Sequence, residues 1–246
     1  RWPTRAEPVD NGGAATAPAT VVGMRGFIDA AADLLLGASC PGCGLPGWGL
    51  CVGCRALLEG PPELIDRSLP VPVVAACQYR PILEHVIPRY KDDGALHLDR
   101  TLGDLLARAV RGLAPPRGTL LVPVPSRPAA VRERGFDHAR RVAAHAARAT
   151  GLGSRPLLSR NQPGEDQLGL GRDQRARNLA GSMRARPAGR PVVIVDDVAT
   201  SGASLREAFR ALSEAGGEVL GAAVIAQAEK LPQHSAKACT PTWRER

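Results

Sequence analysis

An α/β architecture with a mainly parallel central sheet is what this 246-residue chain predicts, and three observations carry it. Val192-Val193-Ile194-Val195 is an unbroken β-branched run, the pattern of a central strand covered on both faces. A helical stripe follows it, with Leu205, Ala208, Phe209 and Leu212 at i, i+3, i+4 and i+7, and the same strand-then-helix alternation recurs from Thr119 to Ile225. Finally, 44% apolar content is enough for one sizeable core, so two large domains are not needed.

Taken in order, residues 1–20 are rich in Ala, Pro and Gly without periodicity and read as a disordered lead. Within 21–60, Met24, Phe27, Ile28, Ala31, Leu34 and Leu35 have a roughly helical spacing, that of a helix docked on the body. Cys40, Cys43, Cys51 and Cys54 then form C-x2-C-x7-C-x2-C, two short knuckles whose thiolates suit a closed tetrahedral zinc site. Such a site has no open position, so it predicts a structural rather than a redox role. Cys77 reads as a small buried hydrophobe in the apolar run 71–79, and Cys239, near His234 in the polar tail, carries no function.

Residues 61–230 hold the main domain and 231–246 a polar tail. Leu83, Val86, Ile87 and Tyr90 mark a helix that Pro88 should distort just before Lys91. Leu102, Leu105, Leu106, Ala109 and Leu113 mark another, stopped by Pro115-Pro116. A strand over 119–124 ends at Pro123-Val124-Pro125-Ser126. After Gly135-Phe136 a helix begins at Asp137 and closes on Gly151, and Leu157-Leu158 suggest a short strand. The polar, Gly-rich and Arg-rich stretch 159–183, containing Gln167, Arg172, Arg175 and Asn178, has the length of a lid. Ser204 and Glu207 read as a capping box for the last predicted helix, Gly216-Gly217 as its stop, and 219–225 as the final strand.

The chemistry concentrates where the 192–195 strand ends. Asp196 and Asp197 can accept hydrogen bonds from a vicinal diol. The turn Ala199-Thr200-Ser201-Gly202-Ala203-Ser204 offers hydroxyl donors, bare backbone and a helix N-terminus, which together suit a phosphate. A phosphate and a diol describe a phosphorylated ribose.

At these residues the chain resembles the signature of type I phosphoribosyltransferases for phosphoribosyl pyrophosphate (PRPP). That resemblance implies the phosphoribosyltransferase type I fold, with the ribose hydroxyls on Asp196 and Asp197 and the 5′-phosphate on the loop 199–204. Purine-salvage members place an acid at the position of Thr200 and Lys at that of Ala203, so purine salvage is not expected. Across residues 24–228 the chain further resembles the ComF family. The likeness rests on the four cysteines, Tyr90-Lys91 with Gly94, Val122-Pro-Val-Pro125, Arg132-Glu-Arg-Gly-Phe136, Gln167-Leu168, and Arg175 with Asn178-Leu179. Asp137-His138 stands where that family commonly has Asn-Gln.

The resemblance implies an enzyme that uses Mg2+ with PRPP, carries structural Zn2+, and transfers phosphoribosyl to an unidentified acceptor; a cytoplasmic location is expected from the lack of a membrane span or signal-type hydrophobic core. It also implies a link to natural transformation, with single-stranded DNA and a helicase as partners. The alternative is a non-catalytic PRPP sensor or DNA-handling protein on the same fold. Net charge is +8, and the excess lies in 119–246, which attracts polyanions. Aromatic content of 3% argues against base-stacking platforms. No apolar stretch approaches the roughly 20 residues of a membrane span, so membrane insertion is not expected. Lys91 stands out in a chain where only Lys91, Lys230 and Lys237 of the 32 basic residues are lysine, and Lys91, Ser126, Arg127, Arg132 and Arg134 are the expected pyrophosphate-side residues.

Overall fold

The computed structural model describes residues 39–47, 49–160 and 181–228. A short helix α1 (Val52–Ala56) closes the cysteine knuckle. It is followed by β1 (Glu63–Ile65), β2 (Val73–Gln78), α2 (Leu83–Asp92), a 3-10 turn (Leu96–Leu98) and α3 (Asp99–Gly112). Next come β3 (Leu120–Pro123), α4 (Pro128–Arg134), α5 (His138–Thr150), β4 (Gly153–Ser154) and β5 (Leu158–Arg160). Within 181–228 lie β6 (Met183–Ala185), β7 (Val192–Ala199), α6 (Ala203–Glu214) and β8 (Val219–Gln227). Among the described residues no helix is long and apolar enough to cross a membrane.

The expected α/β fold is found, with a six-stranded sheet in the order β1-β2-β8-β7-β3-β4. Every neighbouring pair in it is parallel except the edge pair β1–β2. Alternating side chains divide the core between the two faces. Val193 and Val195 pack with α2, α3, α5 and the cysteine knuckle, whereas Val192 and Ile194 pack with α6, β5 and β6.

Several local expectations change in three dimensions. The Leu157-Leu158 strand does not join the main sheet: β5 pairs antiparallel with β6 as a separate ribbon. Helix α2 continues through Pro88 to Asp92, because its buried face of Leu83, Val86, Ile87 and Tyr90 outweighs the one intrahelical hydrogen bond that proline forfeits. Ser204 and Glu207 do not form a capping box. Gly202, at φ 73°, is the N-cap of α6, and Ser204 already lies inside the helix. Glu207 is buried instead and accepts from the Met183 N–H at 2.8 Å while pairing with Arg210 at 2.7 Å, which ties β6 to α6. Cys77 is only half-buried, and its thiol donates to Leu58 O at 3.4 Å while accepting from Arg108 Nη2 at 2.9 Å. The expected helix within 21–60 and the polar tail lie outside the described residues.

Asp137 and Gly151 do as their chemistry predicts. Asp137 caps α5 by accepting from the Arg140 N–H at 3.3 Å, and Gly151 ends it at φ 71°. Helices α3 and α5 then approach closely at Gly103, where an added Cβ would lie 2.4 Å from His145 Cβ. Gly103→Ala should therefore destabilise the protein by about 1–3 kcal/mol despite alanine's better helix propensity. A denaturant midpoint equal to or above that of the wild type would contradict this packing.

Candidate functional site

β7 and β3 are neighbours, but their chains leave in opposite directions. β7 leads through α6 to β8 on one side, and β3 leads through α5 to the edge strand β4 on the other. Open α/β sheets bind ligands at such a divide, outside the carboxyl ends of the strands. The Val124 N–H donates to Val195 O at 2.9 Å, after which Pro125 has no N–H to continue the ladder. β7 runs on, paired with β8 alone, so Asp196 and Asp197 lie within the strand rather than beyond its end.

The two-residue period of the strand sends these adjacent carboxylates to opposite faces. Asp197 follows Val193 and Val195 toward α2 and α5. Its Oδ2 is paired with Lys91 Nζ of α2 and with His138 Nε2 of α5, the latter at 3.2 Å, while Oδ1 accepts from the Val198 N–H at 2.7 Å. Asp196 follows Val192 and Ile194 toward β5. Its Oδ1 accepts from the Asp197 N–H at 2.9 Å, and Arg160 of β5 acts on it electrostatically. Among the described residues no cation is within ion-pair distance of Asp196.

This asymmetry separates the two acids. Burial pushes Asp196 up to about 7, and the neighbouring Asp197 charge pushes the same way. Burial also acts against the ionised form of Asp197, but the His138 hydrogen bond and the Lys91 charge outweigh it and hold that carboxyl well below the usual range. One acid is a fixed anion; the other changes charge near neutrality.

The phosphate-type loop sits at the N-terminus of α6. Thr200 and Ser201 are exposed, Ser204 is half-buried, and the Ala203 N–H donates to Ser201 Oγ at 3.4 Å. The first turn of a helix leaves backbone N–H groups without intrahelical acceptors, which suits an anion. Two arginines brace the loop from behind. Arg67 Nη2 donates to Ala199 O at 3.5 Å and Ala228 O at 3.4 Å, while Arg206 Nη1 donates to Arg67 O at 2.8 Å and Ser201 O at 2.9 Å. Gly202 is required here, since a Cβ would stand 2.9 Å from Arg67 Cβ.

The residues expected on the pyrophosphate side do not form one open patch. Lys91 is engaged by Asp197. Arg134 pairs with Asp92 at 3.1 Å, and Ser126 Oγ donates to Asp137 at 3.2 Å and lies 3.3 Å from His138 Nδ1. Arg127 and Arg132 are exposed. Gln167, Arg172, Arg175 and Asn178 lie outside the described residues, but the flanks of that stretch are joined as the β5–β6 ribbon.

Three participants escaped sequence reasoning: His138, Arg160 and Arg67. Arg160 Nε donates to Pro125 O at 2.8 Å, bringing a half-buried guanidinium to the crevice, and burial lowers its basicity. His138 did leave a signal, because it extends the buried stripe of Val142 and Ala146 by one helical turn.

The four knuckle cysteines form a second candidate site, with their ligand atoms within 4.8 Å of one another. Cys43 and Cys51 Sγ are 3.6 Å apart, close to the roughly 3.8 Å edge of a tetrahedron with 2.3 Å Zn–S bonds. Cys40 Sγ accepts from the Cys51 N–H at 3.3 Å; burial opposes its ionisation, but backbone donors win and bring it down to about 6. Gly42 permits this approach, as a Cβ there would lie 2.8 Å from Cys54 Sγ. The donor set fits Zn2+.

A parallel sheet with paired carboxylates and a glycine turn at its divide defines an open α/β domain with a crevice at the carboxyl ends of its strands. Residues 142–242 match the family model described as the phosphoribosyl transferase domain. A curated relative, orotate phosphoribosyltransferase of Methanopyrus kandleri, is 49% identical over 49 residues, covering 20% of this chain and 27% of that protein. The match thus spans about a quarter of the relative. Among solved structures, the allosteric regulatory enzyme of purine biosynthesis aligns with 53% of this chain and 26% of its own at 22% identity and a TM-score of 0.36. Adenine phosphoribosyltransferase from Rhodothermus marinus aligns with 72% of this chain and 88% of its own at 17% identity and a TM-score of 0.32.

Proposed function

We propose that this chain is a PRPP-binding phosphoribosyltransferase that moves the phosphoribosyl group to an acceptor and releases pyrophosphate. The observation that carries this reading is the pair Asp196 and Asp197 set on β7 just before the Gly202 turn and the N-terminus of α6, at the divide of the sheet. The loop 199–204 takes the 5′-phosphate through N–H and hydroxyl donors. The two carboxylates take the ribose diol, and Arg127 and Arg132 face the pyrophosphate. Lys91 and Arg134 join them by exchanging their carboxylate partners for phosphate oxygens.

Displacement at C1′ breaks the bond to pyrophosphate and forms one to the acceptor nucleophile, with positive charge building on the ribose and negative charge on the leaving group. Preorganised cations stabilise that charge separation. Mg2+ supplies further neutralisation of the pyrophosphate, and the carboxylate oxygens at the crevice are the hard donors such an ion takes. In the knuckle, Cys40, Cys43, Cys51 and Cys54 hold a structural Zn2+. A competence role, with single-stranded DNA and a helicase as partners, rests on the sequence resemblance alone. One observation favours the non-catalytic sensor as a second reading: the sole lysine among the expected pyrophosphate contacts is already bound to Asp197.

Calorimetric titration with Mg2+ and PRPP tests the site, and a wild-type chain that takes up no PRPP would overturn it. Pyrophosphate release against an acceptor panel separates enzyme from sensor. The affinity also carries a pH signature. Asp196, raised to about 7, is protonated in the empty site below that pH, whereas a diol binds best to the ionised form. PRPP affinity should therefore strengthen as pH rises toward 7 and level off above it, by up to about tenfold per unit below the midpoint. In Asp196→Asn this part of the profile should vanish; an unchanged profile would refute the role of Asp196.

A further inference from the structure

His138 is buried at the start of α5 and contacts the acid at the centre of the site. Its Nε2 lies 3.2 Å from Asp197 Oδ2. Its Nδ1 lies 3.3 Å from Ser126 Oγ and 3.5 Å from Arg134 Nη1. The charged groups facing this system are Asp197 of β7, Lys91 and Asp92 of α2, Arg134 of α4 and the Asp137 cap of α5. A guanidinium only donates, so Nδ1 is an acceptor toward Arg134 and the ring proton belongs on Nε2, the nitrogen 3.2 Å from Asp197 Oδ2.

Resting on the PRPP reading above, we propose that His138 is a positioning residue that fixes the Asp197 carboxylate for the ribose through Nε2–H, in the tautomer set from the Nδ1 side by Arg134. The geometry gives it a task that Lys91 cannot share. The Asp197 carboxylate turns freely unless both oxygens are tied; the Val198 N–H holds Oδ1, and Oδ2 depends on Lys91 and His138. Lys91 carries its charge on a flexible stem and leaves when phosphate oxygens compete for it. The short imidazole, locked in the α5 packing, stays.

Two measurements on the full chain decide this. In protein labelled with 15N-histidine, two-bond proton–nitrogen spectra at neutral pH should show His138 as the Nε2–H tautomer, its signals assigned by their loss in His138→Gln. A proton on Nδ1 would overturn the proposal. In calorimetry with Mg2+ and PRPP, His138→Ala should bind about 10-fold or more weakly, while His138→Gln, which keeps an N–H donor, should stay within about 3-fold of wild type. Equal losses in both variants, or none in either, would also overturn it. A wild-type chain that binds no PRPP but shows the Nε2–H tautomer would refute the phosphoribosyl reading and leave the His138–Asp197 tie standing.

Discussion

Asp197→Asn should lower PRPP affinity by about 100-fold or more, because it removes the one carboxylate of the pair held well below the usual carboxylate range. The substitution preserves shape, so the loss reports charge. Lys91 and the buried His138 would then face a neutral amide in place of their shared anion. Stability should fall by about 2 kcal/mol, below the full cost of breaking a buried pair because Lys91 is 24% exposed. The linkage has a definite sign. A carboxyl held below its ordinary range stabilises the fold above that range, and the contribution disappears as pH falls through the folded value. Wild type and Asp197→Asn should therefore differ in stability at neutral pH and converge in acid. Removing the Asp197 charge also relieves one of the two influences that raise Asp196, so the binding profile of any residual activity should shift to lower pH. Unaltered PRPP affinity in this variant would remove Asp197 from the site.

Chelation of the knuckle metal, or Cys54→Ser, should cost about 3 kcal/mol or more and lower the melting temperature by roughly 10 °C in a chain of this size. The reason is where the knuckle sits. Cys40 and Cys54 are 0% and 3% exposed, and with Leu50 and Leu58 they form part of the same core as Ile82, Leu83 and Leu106. A metal that fixed two turns at this edge would thus support the α2 helix that presents Lys91. Metal analysis of protein purified without chelator should give about one zinc per chain, falling to none in Cys54→Ser. A metal-free wild type with unchanged melting temperature would exclude a structural zinc.

Where chemistry is local, the sequence was enough. The β-branched run 192–195, the turn at Gly202, the stop at Pro123-Val-Pro125, the Asp137 cap and the spacing of the four cysteines each act within a few residues and recur in the structure. The alternating strand and helix pattern likewise determined the α/β class. Two local signals misled, because a tertiary partner made a better offer. Glu207 was drawn from a helix cap to the Met183 N–H and Arg210, and Pro88 was absorbed by the packing of α2.

What the tertiary structure alone decided is who meets whom at the carboxylates. The sequence determined that Asp196 and Asp197 are adjacent on a strand, and hence that they point opposite ways. It did not determine that Lys91, His138 and Arg160 converge there, since those residues come from α2, α5 and β5, far along the chain from β7. The physical reason is range. Propensity, capping and periodicity are set by neighbours within a turn or two, whereas the charge state of a buried acid is set by the sum of desolvation and partners that only the packed sheet and helices bring together.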